Sequence, residues 1–495
     1  MFKNVLSVSL SMALGLGLVY NQFTPEEQAA KPFNKYKTPE AKARLAGAYD
    51  ALRLKQRADE TGKFNYQAYA NALRQADAMQ TNGSRATTIQ WEEMGPDNVG
   101  GRSRCLVVDK DNPNVLYTGG VSGGIYISKN GGTFWEPYFN QDDQLMVLPI
   151  TSMIQTKDGD IYVGTGATIG ENAGGGEGSG FLGNGIYKKA KGSSKFEMLT
   201  STYNTGVLSP SFAFSATNRM APDRTDNATV YAATGNGLKI TKDGGATWNA
   251  APAPLAGGSI ATVTVAKDGT IYAGAAGKIF RSKDNGASFT QVANAFLSEG
   301  NRLEITVSEE DPNYVYALGI KAGGSLKYVI QSTNGGDSWS QIGFGDPLAM
   351  LTFDPFCQQN GTQTVCQGWY DIAFEVHPKD KNKLFLGGAA RFYTWSSATG
   401  WLQAAKAGDF AGVADYIHAD MHHIAFDPTN PEIMYVTCDG GVFKSIDCKK
   451  AFPYPHFLPK NRNLNITQFY SVAASKSGEI LGGAQDNGTN FISLR

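Results

Sequence analysis

An octet, Ser332-Thr-Asn-Gly-Gly-Asp-Ser-Trp339, recurs along the chain and narrows the possible folds more than any other feature of it. It stands between two β-rich runs, Tyr328-Val-Ile330 and Ser340-Gln-Ile342, and so reads as a hairpin connection. Asn334 can accept hydrogen bonds from N–H groups of its own turn, and Gly335 and Gly336 can take positive φ without a Cβ clash. Trp339 opens the returning strand, where a large apolar ring can be buried. The same slots are filled by Asn130, Gly132 and Trp135 in Ser128–Trp135, by Asp243, Gly245 and Trp248 in Thr241–Trp248, and by Asp284, Gly286 and Phe289 in Ser282–Phe289. Ser445–Phe452 keeps Ser445, Asp447 and Phe452 but has Lys449 where glycine belongs.

Two gaps of 113 residues, from 128 to 241 and from 332 to 445, each leave room for a worn copy: Lys189–Phe196 in the first and Thr394–Trp401 in the second. Seven starts then lie 41 to 62 residues apart. A second element keeps the same register. Before each turn lies a β-branched or aromatic run, most of them ending in small residues, as in Val115–Gly119, Ile161–Gly164, Ile271–Gly274 and Leu384–Gly387. An additional copy, Ile480–Gly483, lies near the C-terminus. A repeat of this length holding several short strands is the signature of a β-propeller. The 58 glycines among 495 residues suit an all-β core and not a helical one. Formal net charge is −1 with no basic tract, which offers no case for nucleic-acid binding.

The octets resemble Asp-box (BNR) repeats, which occur in sialidases, sortilin-type propellers and several glycoside hydrolases. Longer stretches resemble secreted, sortilin-like BNR propeller proteins of Bacteroidetes: Trp91–Arg102, Gln367–Asp371, His418–His422 and Gln485–Thr489. The resemblance covers residues 40–495. It implies an all-β propeller and says little about chemistry, because such folds host unrelated functions. Eight blades are expected, with an N-terminal strand near Ile89–Met94 completing the last one. Seven blades, or a larger propeller cut short, are the alternatives.

Residues 1–20, with Lys3 followed by a mostly apolar run from Val5 to Tyr20, have a signal-peptide pattern or form a short anchor. Residues 21–87 read as a helical segment, rich in helix formers from Pro39 to Arg57 and again over Tyr66–Met79. Residues 88–495 are the propeller. The chain is therefore expected outside the cytoplasm: secreted, at the outer cell surface, or in the periplasm. Membrane contact would come only through an uncleaved N-terminal segment. In that setting Cys357 with Cys366, and Cys438 with Cys448, are disulfide candidates, and Cys105 is left over.

Propeller ligands sit at the face built by the loops between second and third strands and by the approaches to each first strand. Sorted this way, Arg102, Arg104, Glu171, Tyr370, His418, His422, Gln485 and Asn487 fall on one face, together with Asp371, Asp420, Asp439 and Asp486. The four aspartates are the candidates for the paired carboxylates of a glycosidase. His418, Asp420 and His422 alternate as strand residues do and form a weak metal candidate. On a straight strand the two imidazoles would stand about 13 Å apart, at ~3.3 Å per residue, so no tightly bound metal and no cofactor are expected. The leading expectation is a binding module for a protein, peptide or glycan at the cell surface. The alternative is a glycoside hydrolase with two acidic residues at the channel mouth.

Overall fold

The computed structural model describes residues 93–493 and the isolated Gln75, except for 139–148, 168–181, 204–211, 293–301, 344–353, 361–362, 408–414 and 451–454. The N-terminal run, the helical segment, the strand expected near Ile89–Met94 and Glu171 lie outside the described residues or, for that strand, almost wholly so. Within 93–493 the described regular elements are strands, apart from two short 3-10 turns.

Seven sheets carry the repeat. The first is built from Ser103–Val108, Leu116–Gly120, Ile125–Ser128 and Glu136–Pro137, paired antiparallel in chain order. The others repeat this plan, with innermost strands Ile150–Gln155, Thr217–Pro222, Ile260–Val265, Arg302–Val307, Ala373–His377 and Met421–Phe426. Each innermost strand packs against the next, and Met421–Phe426 packs against Ser103–Val108. The protein is an all-β propeller, and among the described residues seven sheets form its ring.

This corrects the expectation of eight blades. The eighth set of strands, Phe469–Ala474, Ile480–Ala484 and Thr489–Ile492, forms a three-stranded sheet outside the ring. The ring has no gap for it, because the segment before it lies along the first blade. There Leu464 and Ile466 are buried with Leu106, Leu116, Tyr126 and Trp135 of the first blade and Tyr435 and Val442 of the seventh. Trp135 donates its Nε1–H to the Lys460 carbonyl at 2.7 Å and its backbone N–H to that of Arg462 at 3.0 Å. In the outer sheet Tyr470, Val472, Leu481 and Phe491 are exposed.

The octets form the outer hairpins, and four of them share one hydrogen-bond pattern. In Ser282–Phe289 the Ser282 hydroxyl donates to Asp284 (2.7 Å) and accepts from the Gly286 N–H (3.0 Å), while Asp284 accepts the Ser288 N–H (2.9 Å). The same contacts recur at Ser128/Asn130, Thr241/Asp243 and Ser332/Asn334. The small residues of the second strands have a different cause. A Cβ at Gly119 would lie 2.2 Å from Ile150 Cγ2, and one at Gly164 would lie 2.5 Å from Thr217 Cγ2, each on the next blade. At these positions the neighbouring sheet occupies the space that a side chain would fill.

Cys357 and Cys366 are joined by a disulfide across a two-stranded ribbon. Cys438 and Cys448 are not joined, contrary to expectation. The hairpin register pairs Cys438 with Gly441, whereas Cys448 lies at the far end of the strands with its thiol against the Pro431 carbonyl.

Ring closure through Ile466 gives a stability prediction. Ile466→Ala removes a side chain only 3 % exposed and is expected to cost ~2–5 kcal/mol in urea denaturation. A loss below about 0.5 kcal/mol would show that the 460–467 segment does not hold the ring.

Candidate functional site

At one end of the ring, where the seventh blade meets the sixth and the first, polar residues from four sheets converge. Asp371 precedes the first strand of the sixth blade, and Asp420 precedes that of the seventh. Asp439 lies in the turn between Met434–Cys438 and Gly441–Ser445. Arg102 precedes the first strand of the first blade. Asp486 and Asn487 come from the hairpin between Ile480–Ala484 and Thr489–Ile492, so the outer sheet supplies one wall.

Arg102 binds Asp439 through Nε at 2.7 Å and through Nη2, and its Nη2 also reaches Asp486 at 3.1 Å. His422 meets Asp439 through Nε2 at 2.6 Å, with Nδ1 3.7 Å from Asp371. Tyr370 stands edge-on to His422 and carries the guanidinium of Arg104 on its ring, 4.3 Å from the centroid. Asn487 donates to the Asp439 carbonyl at 3.0 Å, and Gln485 donates its backbone N–H to the Gln468 carbonyl at 2.8 Å. His418 meets the Asp486 carbonyl at 3.1 Å. Nearest oxygens of Asp420, Asp439 and Asp486 all lie within 4.8 Å of one another. Asp371 and Asp439 are buried, and the Asp486 side chain is 38 % exposed.

The weak metal candidate His418, Asp420 and His422 is expected to keep its two imidazoles apart on a straight strand, but the backbone here is not a straight strand: Asp420 has φ of 61°, and the register slips between Met421 and His423. The two imidazoles turn to different partners, His418 to a backbone carbonyl and His422 to Asp439. Arg104, Tyr370 and His422 belong to the buried support of the site, while Arg102, His418, Gln485, Asp486 and Asn487 are at least partly open to solvent.

Charge crowding sorts the acids. Burial, then the Asp420 and Asp439 charges, push Asp371 well above the usual carboxylate range. Burial and the Asp439 and Asp486 charges raise Asp420 to about 8. Asp486 is raised to about 6 by burial and Asp439. Asp439 goes the other way: burial would raise it, but Arg102 and His422 more than offset that and hold it ionised. His422, lowered to about 3 by burial, is neutral and donates its Nε2–H to Asp439. Neither oxygen of Asp371 has a donor as a carboxylate, so a proton on Asp371 donated to Asp420 satisfies both groups.

Beneath the cluster a channel cavity of about 200 Å³ is lined by Arg219, Glu304, His422 and His423. Glu304 is held by Arg302 at 2.7 Å and Arg219 at 3.4 Å, and Arg302 donates to the Tyr370 carbonyl at 2.6 Å. Sequence reasoning missed this ionic floor. Its signal was present as charges inside otherwise apolar innermost strands, in Thr217–Pro222 and Arg302–Val307.

No protein-family model matches the chain. A xyloglucanase of Hypocrea jecorina (strain QM6a) is 29% identical over 162 residues, covering 30% of this chain and 19% of that protein. Among solved structures, the GH74 xyloglucanase from Xanthomonas campestris is similar in fold, with TM-score 0.58, 16% identity, and coverage of 81% of this chain and 60% of that one. The Niastella koreensis GH74 enzyme gives TM-score 0.56, 16% identity, and coverage of 80% and 59%. The chain thus spans 19% of the curated relative and 59–60% of these two solved structures.

The raised acids predict a pH dependence. The folded Asp371–Asp420 pair, with Asp420 raised to about 8 against ~3.9 unfolded, keeps a proton that the unfolded chain has released, so stability falls as pH rises between those values. His422, near 3 when folded, acts oppositely, raising stability with pH up to its ordinary value of 6.5. Above that value the Asp420 contribution stands alone of the two. The melting temperature is expected to fall between about pH 6.5 and 8, by on the order of 1 kcal/mol of stability, and Asp420→Asn to flatten the slope. A wild-type curve that is level or rising across that interval would contradict the shared proton.

Proposed function

We propose that the chain is an exported β-propeller that binds a glycan at this face and acts on it as a glycoside hydrolase. The observation that carries the reading is the convergence of Asp420, Asp439 and Asp486 beside Arg102 at one end of the ring. Glycosidases work with two carboxylates, about 5–5.5 Å apart in retaining enzymes and ~6.5–9.5 Å apart in inverting ones. Asp420 and Asp486, with nearest oxygens within 4.8 Å, approach the narrower spacing. The more enclosed Asp420 suits the acid and the exposed Asp486 the partner that reaches the sugar. Asp439, tied to Arg102 and His422, is a positioning residue. The partial identity to a xyloglucanase and the fold shared with GH74 enzymes make a β-glucan such as xyloglucan the first substrate to test. The Asp-box-like octets, the likeness to sortilin-like propellers of Bacteroidetes and the signal-like N-terminus support placement at the cell surface or beyond it.

A second reading, glycan binding without turnover, is favoured by one observation. Asp371, Arg104, Tyr370 and His422 are buried, so a sugar arriving from solvent meets chiefly Arg102, His418, Gln485, Asp486 and Asn487. Reducing-end release from xyloglucan and other β-glucans separates the two. Hydrolysis is expected, with Asp420→Asn and Asp486→Asn each lowering kcat by ~10²–10⁴ while binding persists. Glycan binding with no release at any protein concentration would establish the second reading. Release that survives both substitutions would place the chemistry elsewhere.

A further inference from the structure

We infer that the outer sheet is a dimer interface, on which a second copy of this chain packs its own outer sheet face to face across a two-fold axis. Seven large apolar residues are exposed among the described residues, and four of them, Tyr470, Val472, Leu481 and Phe491, lie on this one sheet. Ala473, Leu481 and Phe491 are paired in a row across it and so share one face. The strands Phe469–Ala474, Ile480–Ala484 and Thr489–Ile492 carry no charged side chain. Two copies can therefore meet there without opposing like charges.

The ring shows what this face is shaped to receive. Its second strands have glycine at Gly119, Gly164, Gly274 and Gly387, and each hollow is filled from the next blade, by Ile150, Thr217, Leu303 and Met421. Gly483 holds the same place in Ile480–Ala484, on the face of Leu481 and Phe491. A Cβ there would meet only Ser471 Oγ of its own sheet, at 4.0 Å, so among the described residues no other sheet enters this hollow. Leu481 is the knob that fits it. Leu481 stands two residues from Gly483 on the same face, about 7 Å away at ~3.3 Å per residue. A two-fold axis normal to the sheet, between the two positions, sets Leu481 of one copy into the Gly483 hollow of the other, and the reverse, as an isologous contact requires. The ring sheets of a second copy cannot take this place, because each innermost strand already packs against one on either side. The face that remains to be offered is the outer sheet itself. Covering it would also steady the hairpin that carries Asp486 and Asn487 to the acidic pocket.

Association does not depend on the glycan reading and is measured without glycan, by analytical ultracentrifugation of the full chain. A monomer–dimer equilibrium with Kd of ~10⁻⁶–10⁻⁴ M is expected, the strength of a small interface. Amide exchange in Ile480–Ile492 is expected to slow as the concentration rises through that range. Leu481→Lys puts a charge on the face, and Gly483→Val fills a hollow that the monomer leaves open. Each should weaken association by ~10-fold or more while the monomer keeps its melting temperature, since a buried charge without a partner and an overfilled contact are both costly. Ile446→Lys, an exposed apolar residue of the seventh blade, should leave association unchanged. A monomer at every concentration up to about 1 mM, ten-fold above the weakest Kd expected of such an interface, would overturn the inference and leave the face to a different partner. A dimer that survives both Leu481→Lys and Gly483→Val would overturn it too, as would growth past two copies, which a closed two-fold contact forbids.

Discussion

Everything in this protein depends on how closely one blade can approach the next. The innermost strands carry apolar side chains into the gap between sheets, and the second strands give way to them. Ile150 enters the space that a side chain at Gly119 would fill, Thr217 does so at Gly164, and Met421 at Gly387. Dispersion and burial stabilise the ring only at contact distance, because attraction is lost over fractions of an ångström. Leu303 likewise fills that space at Gly274, and the ring closes where Met421–Phe426 meets Ser103–Val108.

The site is a product of that closure. Arg102 and Asp439 are 337 residues apart in the chain, yet the seam places the guanidinium on the carboxylate. Burial there removes water that would otherwise screen the acids, so geometry decides which of them stays charged. Asp439, with two partners, is ionised, while Asp371 and Asp420, with none of their own, are left to share a proton. A propeller end concentrates such conflicts, since each blade turns a loop toward the same axis.

Much of this could be read from the chain before any coordinates. The octets are local: Ser282, Asp284 and Gly286 satisfy one another within five residues, so their pattern survives in sequence. The convergence of loops on one face also follows from the repeat, and Asp371, Asp420, Asp439 and Asp486 do meet there. What could not be read is set by long-range contact or local irregularity. The number of blades is fixed by the burial of Leu464 and Ile466 against the first blade, which no repeat count contains. The left-handed conformation of Asp420 breaks the strand before Met421, and Cys438 misses Cys448 because the hairpin register carries them to opposite ends.

The outer sheet gives the site an uneven footing. Arg102, Asp371, Asp420 and Asp439 are anchored in a closed ring whose every sheet has two neighbours. Asp486 and Asn487 stand on three strands with Tyr470, Val472, Leu481 and Phe491 open to water. Segments with few buried contacts open at a lower free energy than the core they adjoin. One wall of the acidic pocket is therefore expected to open more readily than the rest: amide exchange in Ile480–Ile492 should outrun exchange in the blades, and each opening would bare the carboxylates while the ring keeps them in place.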